Sequence, residues 1–181
     1  MRALLRVSPA SLLIAVIATG GAPSASASTV CAAADALPLV ASSAALRNAT
    51  SCLLNQERAR HRLGPLRLNL RLTKAAAGHA RDMVGRDYFS HDTAGGGDFA
   101  ARIRKAGYRG YTLGEDLAWG SGTLGTARAI VKAWMHSPGH RANILDRRFR
   151  EMGVGVALGV SGGADAGAGG ATYAVDFGAR Q

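Results

Sequence analysis

The chain has 181 residues, a formal net charge of +10 and 48% hydrophobic residues. This length fits one domain with a single core, and the hydrophobic content excludes a chain that is disordered throughout. The arginines are spread along the sequence without interleaved aromatic residues that would stack on bases, so the charge predicts a weak preference for anionic surfaces and no nucleic-acid partner.

The first 27 residues have the pattern of a secretory signal peptide. Arg2 and Arg6 give a positive start, residues 12–18 form a short apolar run, and residues 25–27 (Ala-Ser-Ala) match a cleavage site. The run is shorter than the roughly 20 residues that span a bilayer, and we expect no transmembrane segment elsewhere. We therefore expect residues 1–27 to be removed and the mature protein to be secreted and extracellular. An uncleaved amphipathic anchor is the alternative.

Residues 28–42 are rich in Ala and Ser and predict an N-terminal linker, followed by a folded domain over residues 43–181. The linker contains Cys31, and Cys52 lies in the first predicted helix. An even number of cysteines in an exported chain favours one disulfide bond, with two free thiols as the alternative. A Cys31–Cys52 bond would contribute about 3 kcal/mol by restricting the unfolded chain.

Helices are predicted in the first part of the domain. Apolar residues at helical spacing predict a first helix over residues 43–62, and a second helix is expected to begin after Asn69, a favourable N-cap residue. Residues 108–122 are rich in Gly and aromatic residues and predict a loop or a short extended piece. Shorter helices are predicted over residues 99–106, 126–135 and 140–145.

The last third of the chain predicts two strands. In residues 152–160, Gly alternates with Val, Ala and Leu, a strand pattern that permits close packing. Residues 171–178 place Tyr173, Val175 and Phe177 on one face and Asp176 on the other. Helices followed by strands indicate an α+β layered domain.

Polar residues that could carry chemistry lie in three segments between apolar elements. These segments contain His91, Glu115 and His140. His and Glu side chains can ligate zinc or act as a general base and the group that orients it. The alternatives are a hydrogen-bonded loop histidine at His91, a helix-capping role for Glu115 and an exposed position for His140 at a helix start.

The order of several motifs resembles the CAP superfamily, which comprises cysteine-rich secretory proteins, antigen 5 and plant pathogenesis-related proteins. The most specific match is Ala-Trp-Met at residues 133–135 followed by Ser-Pro-Gly-His-Arg-Ala-Asn-Ile-Leu at residues 137–145. The resemblance covers residues 50–178. The other matching segments are residues 54–58 with 64–66, 80–83 with 89–91, 114–118, 153–155 and 176–178.

This resemblance implies a three-layer α–β–α sandwich with a shallow cavity. In the family, two histidines and acidic residues line that cavity and can hold a divalent ion, often zinc. His91 and Glu115 match that pattern, and His140 of the Ser-Pro-Gly-His segment supplies the second histidine. The family's second Glu falls on Ser137, and Asp116 replaces an Asn. The resemblance therefore implies a three-ligand metal site of His91, Glu115 and His140, with weakened affinity.

Three functions remain open from the sequence. The first is a secreted, monomeric binding module for a small apolar ligand, a cell-envelope component or a protein. The second is a metal-assisted hydrolase in which Glu115 acts as base beside His91, with Ser90 or Ser137 as nucleophile if a histidine lies within hydrogen-bond reach. The third is a cell-surface adhesion protein with a vestigial cavity. Binding is favoured over catalysis, because the sequence contains no recognisable hydrolase motif that would mark an obvious nucleophile beside His91.

Overall fold

The structure is a computed structural model that describes residues 30–162 and 169–180. The predicted signal peptide, residues 1–27, lies outside the described residues. The first predicted helix ends two residues earlier than expected, and the others differ from expectation by no more than two residues at either end. The described helices are α1 (Ser43–Arg60), α2 (Leu70–Gly85), α3 (Phe99–Lys105), α4 (Ala127–His136) and α5 (Pro138–Leu145), with a short 3₁₀ turn at Gly122–Gly125.

Short polar side chains begin the helices by accepting hydrogen bonds from backbone N–H groups that the first helical turn leaves without partners. The Asn69 side chain accepts from the backbone N–H of Arg71, as expected for the N-cap of α2. Asp98 and Thr126 do the same for α3 and α4. These local contacts explain why the helix starts could be predicted closely.

Four strands form one sheet in the order β1-β3-β4-β2. The long strands β3 and β4 are antiparallel neighbours, β2 pairs antiparallel with β4, and the two-residue β1 pairs parallel with β3. The sequence patterns did not predict β1. The strands are β1 (Arg67–Leu68), β2 (Thr112–Ser121), β3 (Glu151–Leu158) and β4 (Gly170–Ala179).

Of the two alternatives predicted for residues 108–122, the loop is wrong, and the short extended piece is a strand much longer than expected. Residues Thr112–Ser121 form a ten-residue strand that pairs with β4 along its whole length. Polar residues in the middle of this strand are buried by partners from distant segments, so an alternating apolar pattern is missing from the sequence. The pairing is non-local, which local patterns cannot reveal.

Helices cover both faces of the sheet. Helices α1, α4 and α5 pack against one face of the sheet. Tyr173, Val175 and Phe177 of β4 lie on this face. Helix α2 packs against the other face, where Leu117 and Ala174 lie. The predicted three-layer α–β–α sandwich is therefore confirmed.

Two glycines of β3 permit an unusually close contact between α2 and the sheet. A Cβ atom added at Gly153 would lie 2.0 Å from the carbonyl carbon of Leu72, and one at Gly155 would lie 2.3 Å from that of Ala76. No side chain fits at such distances, because the neighbouring atoms belong to the helix backbone. The alternation of Gly in this strand thus reflects packing against α2, as the sequence indicated.

The predicted disulfide bond is present. Cys31 and Cys52 are joined, with their Cα atoms 5.7 Å apart. The bond ties the segment before α1 to the middle of that helix. A second contact holds the same segment, since the backbone N–H of Arg128 in α4 donates to the carbonyl of Ala34 over 2.9 Å.

Candidate functional site

Two of the predicted site residues are in direct contact. The Nδ1 atom of His91 lies 2.8 Å from Oε1 of Glu115, and the Glu115 side chain is fully buried on β2 while that of His91 is 56% exposed. Arg102 of α3 forms an ion pair with the other carboxylate oxygen of Glu115. Glu115 therefore has a cationic or polar partner on each of its two oxygens.

The loop that carries His91 is anchored to α2 and α3. Nε2 of the buried His79 lies 2.8 Å from the carbonyl oxygen of Ser90, and Arg102 donates to the carbonyl of His91 over 3.2 Å. His79 lies on the buried face of α2, and its hydrogen bond fixes the backbone next to His91. Burial lowers the pKa of His79, and the positive charge of Arg102 lowers it further.

Asp176 is a site residue that the sequence interpretation missed. It is the cross-strand partner of Glu115, so both carboxyl groups lie on the α2 side of the sheet. Asp176 is completely buried. No N–H or O–H group of a described residue donates to its carboxyl oxygens, and its side chain lies within hydrogen-bond reach of Glu115. Burial and then the negative charge of Glu115 raise its pKa well above the usual range, which favours the protonated form.

His140 has a different partner from His91. Its Nδ1 atom lies 2.8 Å from the hydroxyl oxygen of Ser137, at the start of α5. The hydrogen bond to Glu115 raises the pKa of His91. Burial lowers the pKa of His140, and the positive charge of His91 lowers it further, so the two rings are within electrostatic reach. The hydroxyl of Ser137 therefore contacts His140, whereas the carboxylate of Glu115 contacts His91.

The predicted metal site of His91, Glu115 and His140 does not fit this arrangement. Residues 30–162 and 169–180 contain no group of three or more His, Cys, Asp or Glu side chains placed to hold a metal ion. The carboxylate of Glu115 is occupied by His91 and Arg102, so a guanidinium group already neutralises the charge that a cation would need. Zinc binding stays a prediction from the family resemblance.

A separate groove lies between α1 and α4. It encloses about 300 Å³, which is at the lower end of the size range of small-molecule sites. Leu53, Val131 and Met135 give it apolar walls. Its polar lining residues are four that are basic and one that is acidic: Arg60, Arg128, Lys132, His136 and Glu57.

The family assignment rests on a direct match. The family model described as the cysteine-rich secretory protein family, abbreviated CAP, matches residues 53–175. The chain belongs to this family. The matched range therefore includes the residues of the His91–Glu115–Arg102 cluster and all of the residues that line the α1–α4 groove.

Two proteins of Bacillus subtilis strain 168 resemble this CAP domain in sequence. The uncharacterized protein YkwD is 38% identical over 103 residues, which are 57% of this chain and 39% of YkwD. The uncharacterized membrane protein YlbC is 31% identical over 104 residues, which are 58% of this chain and 29% of YlbC. The chain thus spans well under half the length of both relatives.

Solved structures share the fold. An extracellular protein with an SCP domain from Bacillus anthracis superposes with a TM-score of 0.63 at 25% identity, covering 77% of this chain and 44% of that one. An outer surface protein of Borrelia burgdorferi gives a TM-score of 0.58 at 21% identity, covering 72% and 90%. In the described part of this CAP domain, no helix combines the length and apolar character needed to cross a bilayer.

The family resemblance implies an Asn at the position where this domain has Asp116. The carboxyl group is buried, and its Oδ1 atom accepts a hydrogen bond of 2.8 Å from the side-chain amide of Asn143. Burial raises its pKa from 3.8 to about 7. The folded protein therefore holds a proton that the unfolded chain releases, so this residue lowers the stability as the pH rises from about 4 to 7.

Asp116→Asn is therefore expected to stabilise the domain at high pH only. We expect the free energy of unfolding to rise by about 2 kcal/mol or more at pH 8 and to change little at pH 3, where Asp116 is protonated in the folded state and largely protonated in the unfolded chain. Urea unfolding followed by circular dichroism at both pH values measures this. The exposed Asp92→Asn is the control and should change stability by less than about 0.5 kcal/mol. Equal stabilisation by Asp116→Asn at pH 3 and pH 8 would contradict the assignment.

Proposed function

We propose that this CAP domain acts outside the cytoplasm as a binding module for an amphipathic small molecule with an apolar chain and an anionic head. The observation that carries the proposal is the α1–α4 groove, in which apolar walls and basic side chains occur together. The predicted signal peptide and the extracellular or outer-surface descriptions of two structural neighbours support the location.

The groove has the features that such a ligand needs. Burial of an apolar chain against Leu53, Val131 and Met135 supplies binding free energy in proportion to the area removed from water. A carboxylate or phosphate head would lie near Lys132 and the two lining arginines. Arg60 already pairs with Glu57, and Arg128 with Asp35. The anionic head of the ligand would compete with these carboxylates for the two arginines, so Lys132 is its most accessible partner.

A fluorescent fatty acid, cis-parinaric acid, is the probe for this proposal. We expect saturable binding at one site, followed by its fluorescence increase. Met135→Gln keeps the approximate size of the side chain but makes the wall polar, and we expect it to weaken binding about tenfold because apolar contact is lost. Lys132→Gln should weaken binding severalfold, and the methyl ester of the probe should bind equally to this variant and to the native protein.

Lys74→Gln is the matched control, because Lys74 is an exposed lysine on α2, in the opposite helix layer. It should leave the affinity unchanged. The proposal fails if the native protein does not bind the probe, or if Met135→Gln and Lys132→Gln both bind as tightly as the control.

A hydrolase is the weaker candidate. The 2.8 Å contact between the Ser137 hydroxyl and His140 favours it, because a serine nucleophile needs a base within hydrogen-bond reach. However, the carboxylate of Glu115 orients His91, not His140. The hydroxyl, the base and the orienting carboxylate are therefore divided between two histidines, and we rank ligand binding above hydrolysis.

A further inference from the structure

Several of the arginines that are scattered in the sequence lie together at one end of the sheet. Strands β1 and β3 start at this end, β4 finishes here and β2 starts here. Each strand brings an arginine: Arg67 begins β1, Arg150 precedes β3, Arg180 follows β4, and Arg109 lies three residues before β2. All four are exposed. Since neighbouring strands are about 4.8 Å apart, the strand ends alone place these four residues along roughly 14 Å.

The same end contains two clefts lined by arginine. The first arginine cleft encloses about 380 Å³, and Arg62, Arg147 and Arg150 line it above the buried Arg58. The second arginine cleft encloses about 540 Å³ and is lined by Arg104, Arg109, Gly110, Tyr111 and Arg180. No acidic residue is among those that line either cleft.

Backbone hydrogen bonds place the two clefts side by side. The N–H of Arg150, in the first cleft, donates to the carbonyl of Gly178 over 3.1 Å. The N–H of Tyr111, in the second cleft, donates to the carbonyl of Ala179, the next residue of β4, over 3.1 Å. One extended ligand could therefore contact both clefts.

Among the described residues, the carboxylates close to this end are already engaged. Asp146 pairs with Arg148. Glu151 accepts hydrogen bonds from Arg180, Tyr108 and Asn69, and its side chain is only 6% exposed. Within the described residues, Arg62, Arg104, Arg109 and Arg147 have no carboxylate partner in an ion pair. The charge of these arginines is thus available to an external anion.

We propose that the two arginine clefts form a binding surface for a linear polymer that carries phosphate groups, such as an anionic polymer of the cell envelope. Arginine binds phosphate oxygens through two parallel N–H groups, and its weak hydration favours such contacts. The clefts are concave, so a flexible chain can enter them, whereas a flat bilayer surface contacts mainly their rims. Among the residues that line them, Tyr111 is the one aromatic residue, so the clefts lack the stacking platform that single-stranded nucleic acids use. This surface is separate from the α1–α4 groove, so it does not depend on the function proposed above.

A fluorescently labelled linear polyphosphate is the probe, and its anisotropy is measured over a series of salt concentrations. The test variant is Arg109→Gln with Arg147→Gln, one substitution in each cleft at an exposed position. The control variant is Arg47→Gln with Arg81→Gln, which removes the same net charge from residues lining a groove beside Val156 and Leu158, towards the other end of β3.

We expect the native protein to bind polyphosphate with strong salt dependence. The test variant should bind at least about tenfold more weakly and reduce the salt slope by 1 to 2, since each lost phosphate contact removes roughly 0.7 to 0.9 from that slope in nucleic-acid complexes. The control variant should bind within about twofold of the native protein, because charge at a distance is screened by salt.

Four outcomes would overturn the proposal. The first is the absence of polyphosphate binding at low salt, and the second is an equal loss in the test and control variants, which would indicate unspecific attraction. The third is tighter binding to phosphatidylglycerol vesicles than to polyphosphate at equal phosphate concentration. The fourth is tighter binding to single-stranded DNA. Circular dichroism of both double variants verifies that they are folded.

Discussion

Gly153→Ala is expected to destabilise the domain by more than about 3 kcal/mol, because the added methyl group must displace the backbone of α2. Its Cβ atom would lie 2.0 Å from the carbonyl carbon of Leu72 and 2.1 Å from the nitrogen of Thr73. Backbone atoms of a packed helix cannot rotate away as a flexible side chain can. Urea unfolding followed by circular dichroism measures the loss.

Gly78→Ala is the matched control for this substitution. Gly78 lies in α2 itself, and a Cβ atom there would meet nothing within 4 Å. Alanine is favoured over glycine in a helix by about 1 kcal/mol, so this variant should be as stable as the native protein or more so. If Gly153→Ala unfolded at the same urea concentration as Gly78→Ala, the close contact between α2 and β3 would be wrong.

Loss of the disulfide bond is the second large effect. The double variant Cys31→Ser, Cys52→Ser is expected to lose about 3 kcal/mol of stability, because the bond closes a loop with a sequence separation of 21 and restricts the unfolded chain. Thermal unfolding in the absence of reductant measures the difference.

Dithiothreitol provides the control within the same experiment. It should lower the melting temperature of the native protein towards that of the variant and leave the variant unchanged. A variant that melts at the same temperature as the oxidised native protein would show that the segment around Cys31 contributes little, and that the contact between Arg128 and Ala34 holds it without the bond.

The sequence allowed close prediction of features that depend on local interactions. The start of α2 follows from Asn69, whose side chain bonds only two residues ahead. The last two strands follow from their alternation, and the order of family motifs implied the layers. The full length of strand β2 was missed because its pairing with β4 joins Glu115 to Asp176, which are far apart in the chain.

The candidate site was predictable only in part for the same reason. His91 and Glu115 were singled out by their positions in polar segments between apolar elements and by the family motifs, and they are in contact. Arg102 lies on a short helix whose pattern gives no sign of a partner on β2. The position of Asp176 on the face opposite Tyr173 was predicted, but its burial follows from a helix covering that face as well. In a three-layer sandwich, a polar residue on either face of a central strand is therefore a candidate site residue.

The position of β4 in the chain has a consequence for the order of folding. This strand, Gly170–Ala179, pairs with both β2 and β3, so the sheet cannot be completed before residue 179 has been synthesised. Helices α1 and α2 can form earlier, but the sheet face that each covers does not yet exist. Long-range pairing of this kind slows folding relative to chain synthesis. A nascent chain that stays unfolded until its last strand has been synthesised can still pass through a translocation channel.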